Sequence, residues 1–174
     1  MDPHSALADF VARHPRLLVL TGAGCSTESG IPDYRDANGD WKRPQPVTWQ
    51  AFRDEDATRR RYWARSLLGW PTMAQAVPGP AHQALAQLEA AGHVELLLTQ
   101  NVDGLHGAAG SQGVVDLHGR IDTVLCLGCG QRTTRAALQQ RLQQANPDWA
   151  ALPARAAPDG DADLALSDFS GVHV

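Results

Sequence analysis

A chain of 174 residues with 43% hydrophobic content is long enough to bury one core and too short for several domains, so one domain with a small appendage is expected. The net charge is −4, and the segment from residue 148 supplies all of it with five aspartates against Arg155, so no basic surface points to DNA or RNA. No basic N-terminal region precedes a long apolar run, which speaks against a signal peptide or a membrane span and for a soluble, cytoplasmic protein.

In chain order, Leu17-Leu18-Val19-Leu20 is an unbroken apolar run ending in Thr21-Gly22-Ala23-Gly24, which predicts a buried strand feeding a tight glycine turn and then a helix. Residues 30–46 are rich in Gly, Pro, Asp and Asn without an apolar period and read as a long loop, a kind of segment that is usually functional. Between Thr48 and Leu68, Trp49, Phe52, Tyr62, Trp63 and Leu67 recur at helical intervals with a charged break at 53–56, which predicts two short helices. Pro80 opens a cleaner helix with Ala81, Ala84, Leu85 and Leu88 on one face, and Gly92 closes it. Val94–Leu98 and Val114–Leu117 are the second and third strands. Residues 121–126 then alternate ahead of a turn at Gly128-Cys129-Gly130 and a helix over 134–144, the pattern of a small inserted module. The Ala, Asp and Pro-rich stretch 147–174 reads as linker, apart from a short extended piece near Phe169.

Three cysteines cannot all pair, and Cys126-Leu-Gly-Cys129 has the spacing of metal or redox chemistry, which suits a reducing compartment. Gly22-Ala23-Gly24-Cys25-Ser26 after a strand is the start of an anion site, because turn glycines let backbone N–H groups approach a phosphate. Taken alone it is weak: Thr27 stands where a dinucleotide fingerprint has its third glycine, and the turn could serve the strand-to-helix connection only. Cys25 has no basic neighbour in sequence to activate it as a nucleophile.

The motifs gain weight together. Residues 22–35 read GAGCSTESGIPDYR, residues 99–106 read TQNVDGLH, and residues 116–119 read DLHG, followed by the Cys126 and Cys129 pair. These motifs, in this order, resemble the sirtuins, most closely their lipoamidase-like branch, and with NGDWKRPQPVTWQAF at 38–52 the resemblance covers residues 15–146. It implies an α/β fold, a partial doubly wound, Rossmann-like parallel sheet carrying the start of a small zinc-binding module. Residues 1–120 would be the first part of the NAD-binding domain, with 31–75 its cofactor loop and helical module, 121–146 the first half of the zinc module and 147–174 a tail. The implied activity is NAD-dependent lysine deacylation of an acylated protein substrate, in which the acyl group passes to ADP-ribose and nicotinamide leaves.

By the same resemblance His118 is the general base toward a ribose hydroxyl, a role that suits an imidazole because its pKa lies near working pH. Asn101 and Asp103 would line the nicotinamide and ribose pocket with Gln100 and Val102 beside them, although Asn-Val-Asp-Gly is also turn sequence. Gly22, Ala23, Gly24, Ser26 and Thr27 would form the cofactor turn. Asp33, Tyr34 and Arg35 would form the cofactor loop, joined by Trp41, for which surface packing is an equal alternative. Cys126 and Cys129 would supply half of a tetrahedral Zn2+ site; no cysteine follows them, and His173 is a weak further donor.

Sequence corresponding to the family's second cysteine pair, later strands and adenosine-binding motifs is not found in these 174 residues. Two readings follow. One is the enzyme, and the other is a shortened, non-catalytic form with a bare apolar edge at Leu17–Leu20 through which it would associate. A hydride-transferring NAD dehydrogenase fits less well, because IPDYR stands where a helix and second strand would be expected.

Overall fold

The computed structural model describes residues 2–36, 38–42, 47–153, 155–156, 160–164, 169 and 171–173. In chain order its elements are α1 (Pro3–Arg13), β1 (Leu17–Thr21), a 3₁₀ helix (Ala23–Ser29), α2 (Trp49–Asp54), α3 (Asp56–Gln75), α4 (Pro80–Ala90), β2 (Val94–Thr99), α5 (Leu105–Ala108), β3 (Val114–Asp116), β4 (Thr123–Leu125), β5 (Arg132–Thr134), α6 (Arg135–Ala145), α7 (Pro147–Ala150), β6 (Arg155–Ala156) and β7 (Ala162–Asp163). They form two compact units, Met1–Ser29 with Val77–Arg120, and Gly30–Ala76 with Ile121–Val174. No described helix is long and apolar enough to cross a membrane.

The first unit is built on a parallel sheet in the order β1-β2-β3, as expected for the opening strands of a doubly wound sheet. Val19 lies opposite Leu97, and Leu97 opposite Val114. Leu97 and Val94 are buried, and α4 packs against β2. The alternate positions behave differently, as period-two side chains must: Leu18 and Leu20 are 65% and 60% exposed. Among the described strands β1 pairs with β2 alone, so its other edge is open. Helix α4 begins with Pro80 at its first turn and ends before Gly92 at φ 82°, a left-handed position that suits glycine. Sequence reading assigns no element to α1, although Pro3 in its first turn fits a helix start.

The glycine turn leads into a seven-residue 3₁₀ helix and not an α-helix. Its Gly-Cys-Ser-Thr run has weak α propensity, so the chain settles into short i→i+3 bonding, such as Cys25 N–H to Gly22 O at 2.9 Å. The expected anion site therefore gains no long helix dipole and relies on the turn itself.

In the second unit two helices occupy the region predicted as two short ones, but α3 runs for 20 residues. Its continuation past Leu68 was hidden by Pro71, which has no N–H for the Leu67 carbonyl. That carbonyl accepts instead from Gln139 Nε2 of α6 at 2.8 Å, so a tertiary bond satisfies what the proline removes. Edge-to-face contacts of Phe52 with Tyr62 at 5.1 Å and with Trp63 at 6.4 Å join α2 to α3.

Within the stretch predicted as linker, the described residues form α7 and a β6–β7 hairpin, and Ala162 and Val172 are buried. Arg60 and Arg65 of α3 donate to the Val172 and Ala162 carbonyls at 2.7 and 2.8 Å. Phe169 stacks on Trp149 at 5.7 Å. Residues 154, 157–159, 165–168, 170 and 174 of this stretch, like 37 and 43–46 of the long loop, lie outside the described residues.

Close approach of this segment demands a glycine on α3. A Cβ at Gly69 would lie 2.2 Å from the Asp161 carbonyl oxygen and 2.4 Å from that of Gly160. Gly69→Ala is therefore expected to destabilise the second unit by about 1–3 kcal/mol, although alanine is the better helix former. Urea unfolding of the two proteins checks this, and equal midpoints would show that the 160–161 segment yields freely.

Candidate functional site

In the first unit β1 and β2 end side by side at Thr21 and Thr99, and the Thr21 hydroxyl donates to Thr99 Oγ1 at 2.9 Å. Beyond them the chain places polar side chains where parallel sheets place ligands, at the carboxyl ends of strands. Asn101, 8% exposed, donates through Nδ2 to the Gly22 carbonyl at 3.1 Å and to Ser26 Oγ at 3.0 Å. Ser26, buried, donates to Asp103 Oδ2 at 2.7 Å, and Asp103 Oδ1 accepts the Leu105 N–H at 2.9 Å. The turn that delivers Asp103 to α5 uses Gly104 at φ 74°, where a Cβ would also stand 2.7 Å from the Arg120 guanidinium.

The structure thus brings together Gly22, Ser26, Asn101 and Asp103 of the sequence-predicted set. Gln100 is exposed beside them; its N–H donates to the Thr21 carbonyl at 3.0 Å, and its Nε2 lies 3.6 Å from where a Gly22 Cβ would be. Ala23, Gly24 and Thr27 lie in the 3₁₀ helix, with Thr27 Oγ1 donating to the Gly24 carbonyl at 3.1 Å, and Val102 is half-buried. A Cβ at Gly24 would meet nothing within 4 Å, so the turn faces open space. His118 is exposed in the turn after β3, closed by Gly119 N–H to the Asp116 carbonyl at 3.2 Å. The donor and acceptor chemistry of this set fits a nicotinamide nucleotide: a carboxylate for carboxamide N–H groups, an amide for sugar hydroxyls and open glycine backbone for phosphate.

Sequence reading missed four members of this cluster: Thr21, Thr99, His82 and His106. Both histidines are buried, with ring centroids 4.7 Å apart, and burial lowers the pKa of each despite the opposing pull of Asp103. His106 stands inside the quoted TQNVDGLH motif, but His82 has no local signal beyond its place at the start of a helix. Burial, and secondarily Asp103, raises the Cys25 pKa, so this thiol is not activated.

In the second unit the chain folds back between Tyr34 and Lys42. Arg35 bridges Trp41, the Lys42 N–H donates to the Tyr34 carbonyl at 2.9 Å, and Arg35 Nη1 donates to the Gly39 carbonyl at 2.6 Å. The Arg35 guanidinium sits 4.1 Å over the Trp41 ring, and Tyr34 meets that ring edge-on at 6.1 Å. Asp33 pairs with Lys42 at 2.5 Å, and that hydrogen bond lowers its pKa. Trp41, 44% exposed, packs at the surface of the same loop against Arg35 and Tyr34, a placement compatible with both alternatives.

Also in this unit β4 and β5 form an antiparallel hairpin whose turn carries Cys126 and Cys129, both exposed. Backbone N–H groups of Cys129 and Gly128 lower the Cys126 pKa, which favours the thiolate that binds metal. Two thiols on one knuckle fit half of a tetrahedral site. His173 is held to Asn146 through its backbone, with N–H to Oδ1 at 2.7 Å.

A parallel α/β unit whose first two strands end on this polar cluster has its polar groups where open α/β sheets place ligands, at the strand carboxyl ends. The chain belongs to the Sir2 family, whose model matches residues 22–154. It is 66% identical over 161 residues to a NAD-dependent protein deacetylase of Xanthomonas axonopodis pv. citri, covering 92% of this chain and 55% of that protein. It is 62% identical over 171 residues to NAD-dependent protein deacetylase 2 of Bradyrhizobium diazoefficiens, covering 98% and 63%. A solved Sir2–p53 peptide–NAD+ complex superposes with a TM-score of 0.72 at 33% identity, covering 84% of this chain and 57% of that one. The chain thus spans between half and two thirds of the length of these relatives.

Proposed function

We propose that the protein is a NAD-dependent protein lysine deacetylase whose substrate is an acylated lysine on another protein. The observation that carries this reading is the Ser26–Asn101–Asp103 cluster at the β1 and β2 ends, in a chain 66% identical to a named deacetylase. Bound NAD would supply the ribose carbon that takes the acyl group and the nicotinamide that leaves. Asp103, oriented by Ser26 and the Leu105 N–H, would accept from the carboxamide, and Asn101 would hold the ribose. Gly22, Ala23, Gly24, Ser26 and Thr27, with Gln100 and Val102, would complete the cofactor pocket. Asp33, Tyr34, Arg35 and Trp41 would cover the cofactor, with Arg35 offering its guanidinium to phosphate. His118, exposed at the end of β3, would take the proton from a ribose hydroxyl. A cytoplasmic location is part of the same reading.

The test is nicotinamide release from NAD by the protein as produced from its own gene. Release that depends on an acetyl-lysine peptide is expected, and NAD consumption indifferent to the peptide, or none at all, would overturn the reading.

Cys126 and Cys129 would hold Zn2+ in a structural role. Cys126→Ser is expected to cut the zinc retained against a chelator at least tenfold, because a hydroxyl is a poor replacement for thiolate. Zinc content equal to that of the parent protein would remove this pair from the site.

A further inference from the structure

Behind the strand ends lie the two buried histidines, and neither has a place in the function proposed above. His82 stands on the first turn of α4, where its Nδ1 accepts the Gly79 N–H at 3.1 Å. That bond needs a lone pair on Nδ1, so the proton of the neutral ring sits on Nε2. Nε2 faces Ser26 Oγ at 3.4 Å, and Ser26 spends its own proton on Asp103 at 2.7 Å. The serine hydroxyl therefore accepts from His82 on one side and from Asn101 Nδ2 on the other.

His106 on α5 feeds a second chain of the same kind. His106 Nε2 lies 2.9 Å from Thr21 Oγ1, and with the Thr21 hydroxyl turned to Thr99 Oγ1, also 2.9 Å away, Nε2 is the donor of its pair, the tautomer the proposal requires. Thr99 Oγ1 in turn accepts the Asn101 backbone N–H at 3.1 Å. Each hydroxyl has a single proton on a free rotor, and a donor behind it fixes which way that proton points. The two chains converge on residues 101–103.

Cys25, His82 and His106 also bring three potential ligand atoms within 4.8 Å of one another. A metal on His82 Nε2 would need the ring proton moved to Nδ1, where it would oppose the Gly79 N–H. The hydrogen bonds thus favour a relay over a metal centre. Around the rings stand Asp103, Asp116 and the Cys25 thiol, and burial outweighs both carboxylates in keeping the imidazoles neutral.

We propose that His82 and His106 are positioning residues, His82 acting through Ser26 on Asp103 and His106 through Thr21 and Thr99 on Asn101, so that the nicotinamide and ribose contacts are preorganised. The proposal rests on the deacetylase reading of the same site. Ring tautomers are read by long-range 1H–15N NMR at neutral pH, with both Nδ1 atoms expected bare. A His82 ring protonated at Nδ1 overturns the proposal whether or not the protein turns over NAD.

Kinetics give the second arm. His82→Met is expected to raise KM for NAD about tenfold with a smaller change in kcat, and His82→Gln, whose amide can still donate to Ser26, to recover part of the loss. The double variant with Ser26→Ala should be no worse than the poorer single one, because both cut the same chain. The same cycle at His106 uses His106→Met with Thr21→Val. Additive losses in both cycles, or Gln no better than Met, overturn the proposal. Absence of NAD turnover in the parent protein would overturn the deacetylase reading instead, and the tautomers alone would then decide the role of the histidines.

Discussion

His118→Ala is expected to lower peptide deacylation by about 10²–10⁴-fold, the usual contribution of a positioned general acid or base, without lowering the unfolding temperature. The separation of the two effects comes from where the residue sits. Its backbone is fixed from both sides, by Leu117 N–H to the Thr99 carbonyl at 2.9 Å and by Gly119 N–H to the Asp116 carbonyl at 3.2 Å. Its side chain is exposed, and among the described residues its ring makes no hydrogen bond. Truncation therefore leaves no cavity and no orphaned partner, and surface changes of that kind stay within about 0.5 kcal/mol. His118→Gln should fall with it, since an amide can hold a hydroxyl but cannot take its proton. The measurement is deacylated peptide formed per enzyme at saturating NAD, beside a thermal melt. Near-normal turnover with an unchanged melt would remove His118 from the mechanism, and a collapsed melt would show that the turn needs the imidazole for folding.

The contrast between His118 and the buried histidines shows what the sequence makes legible. The parallel strands are readable because Leu17–Leu20 is an apolar run and Val94–Leu98 is apolar but for Glu95, both too short for helices, and the glycine turn after the first marks the carboxyl end of the sheet. Ser26, Asn101 and Asp103 are legible in the motifs, and in the structure Ser26 is hydrogen-bonded to both Asn101 and Asp103. His82 and His106 were not named, because their roles come from ring tautomers and a spatial neighbour 24 positions away, and no local pattern encodes either. Composition also failed for 147–174: Ala, Asp and Pro suggest linker, yet Arg60 and Arg65 reach across from α3 to hold its carbonyls. Long-range side-chain to backbone bonds leave no periodic trace in a sequence.

Arg135→Ala is expected to destabilise the second unit by about 2–4 kcal/mol, the sum of a cavity and of polar groups left unpaired. The side chain is 1% exposed at the start of α6. Its guanidinium donates to Gln139 Oε1 at 2.8 Å and to both the carbonyl and the hydroxyl of Ser66 at 3.0 Å, which ties α6 to α3. It also lies 4.9 Å from the Trp70 ring and 5.7 Å from the Trp63 ring. Among the described residues no carboxylate pairs with it, and burial draws its pKa down to about 10, which still leaves it charged at neutral pH. A charge held this way is stabilised by fixed dipoles and ring faces alone, so the fork geometry matters more than the charge. Arg135→Lys should lose nearly as much as the alanine variant, because one ammonium cannot serve Ser66 and Gln139 together across two rings. Arg135→Met should lose about half as much, since it refills the space and removes a desolvated charge while stranding the same acceptors. Urea unfolding of the three variants checks the order, and a lysine variant as stable as the parent would show that charge, and not the planar fork, holds α6 on α3.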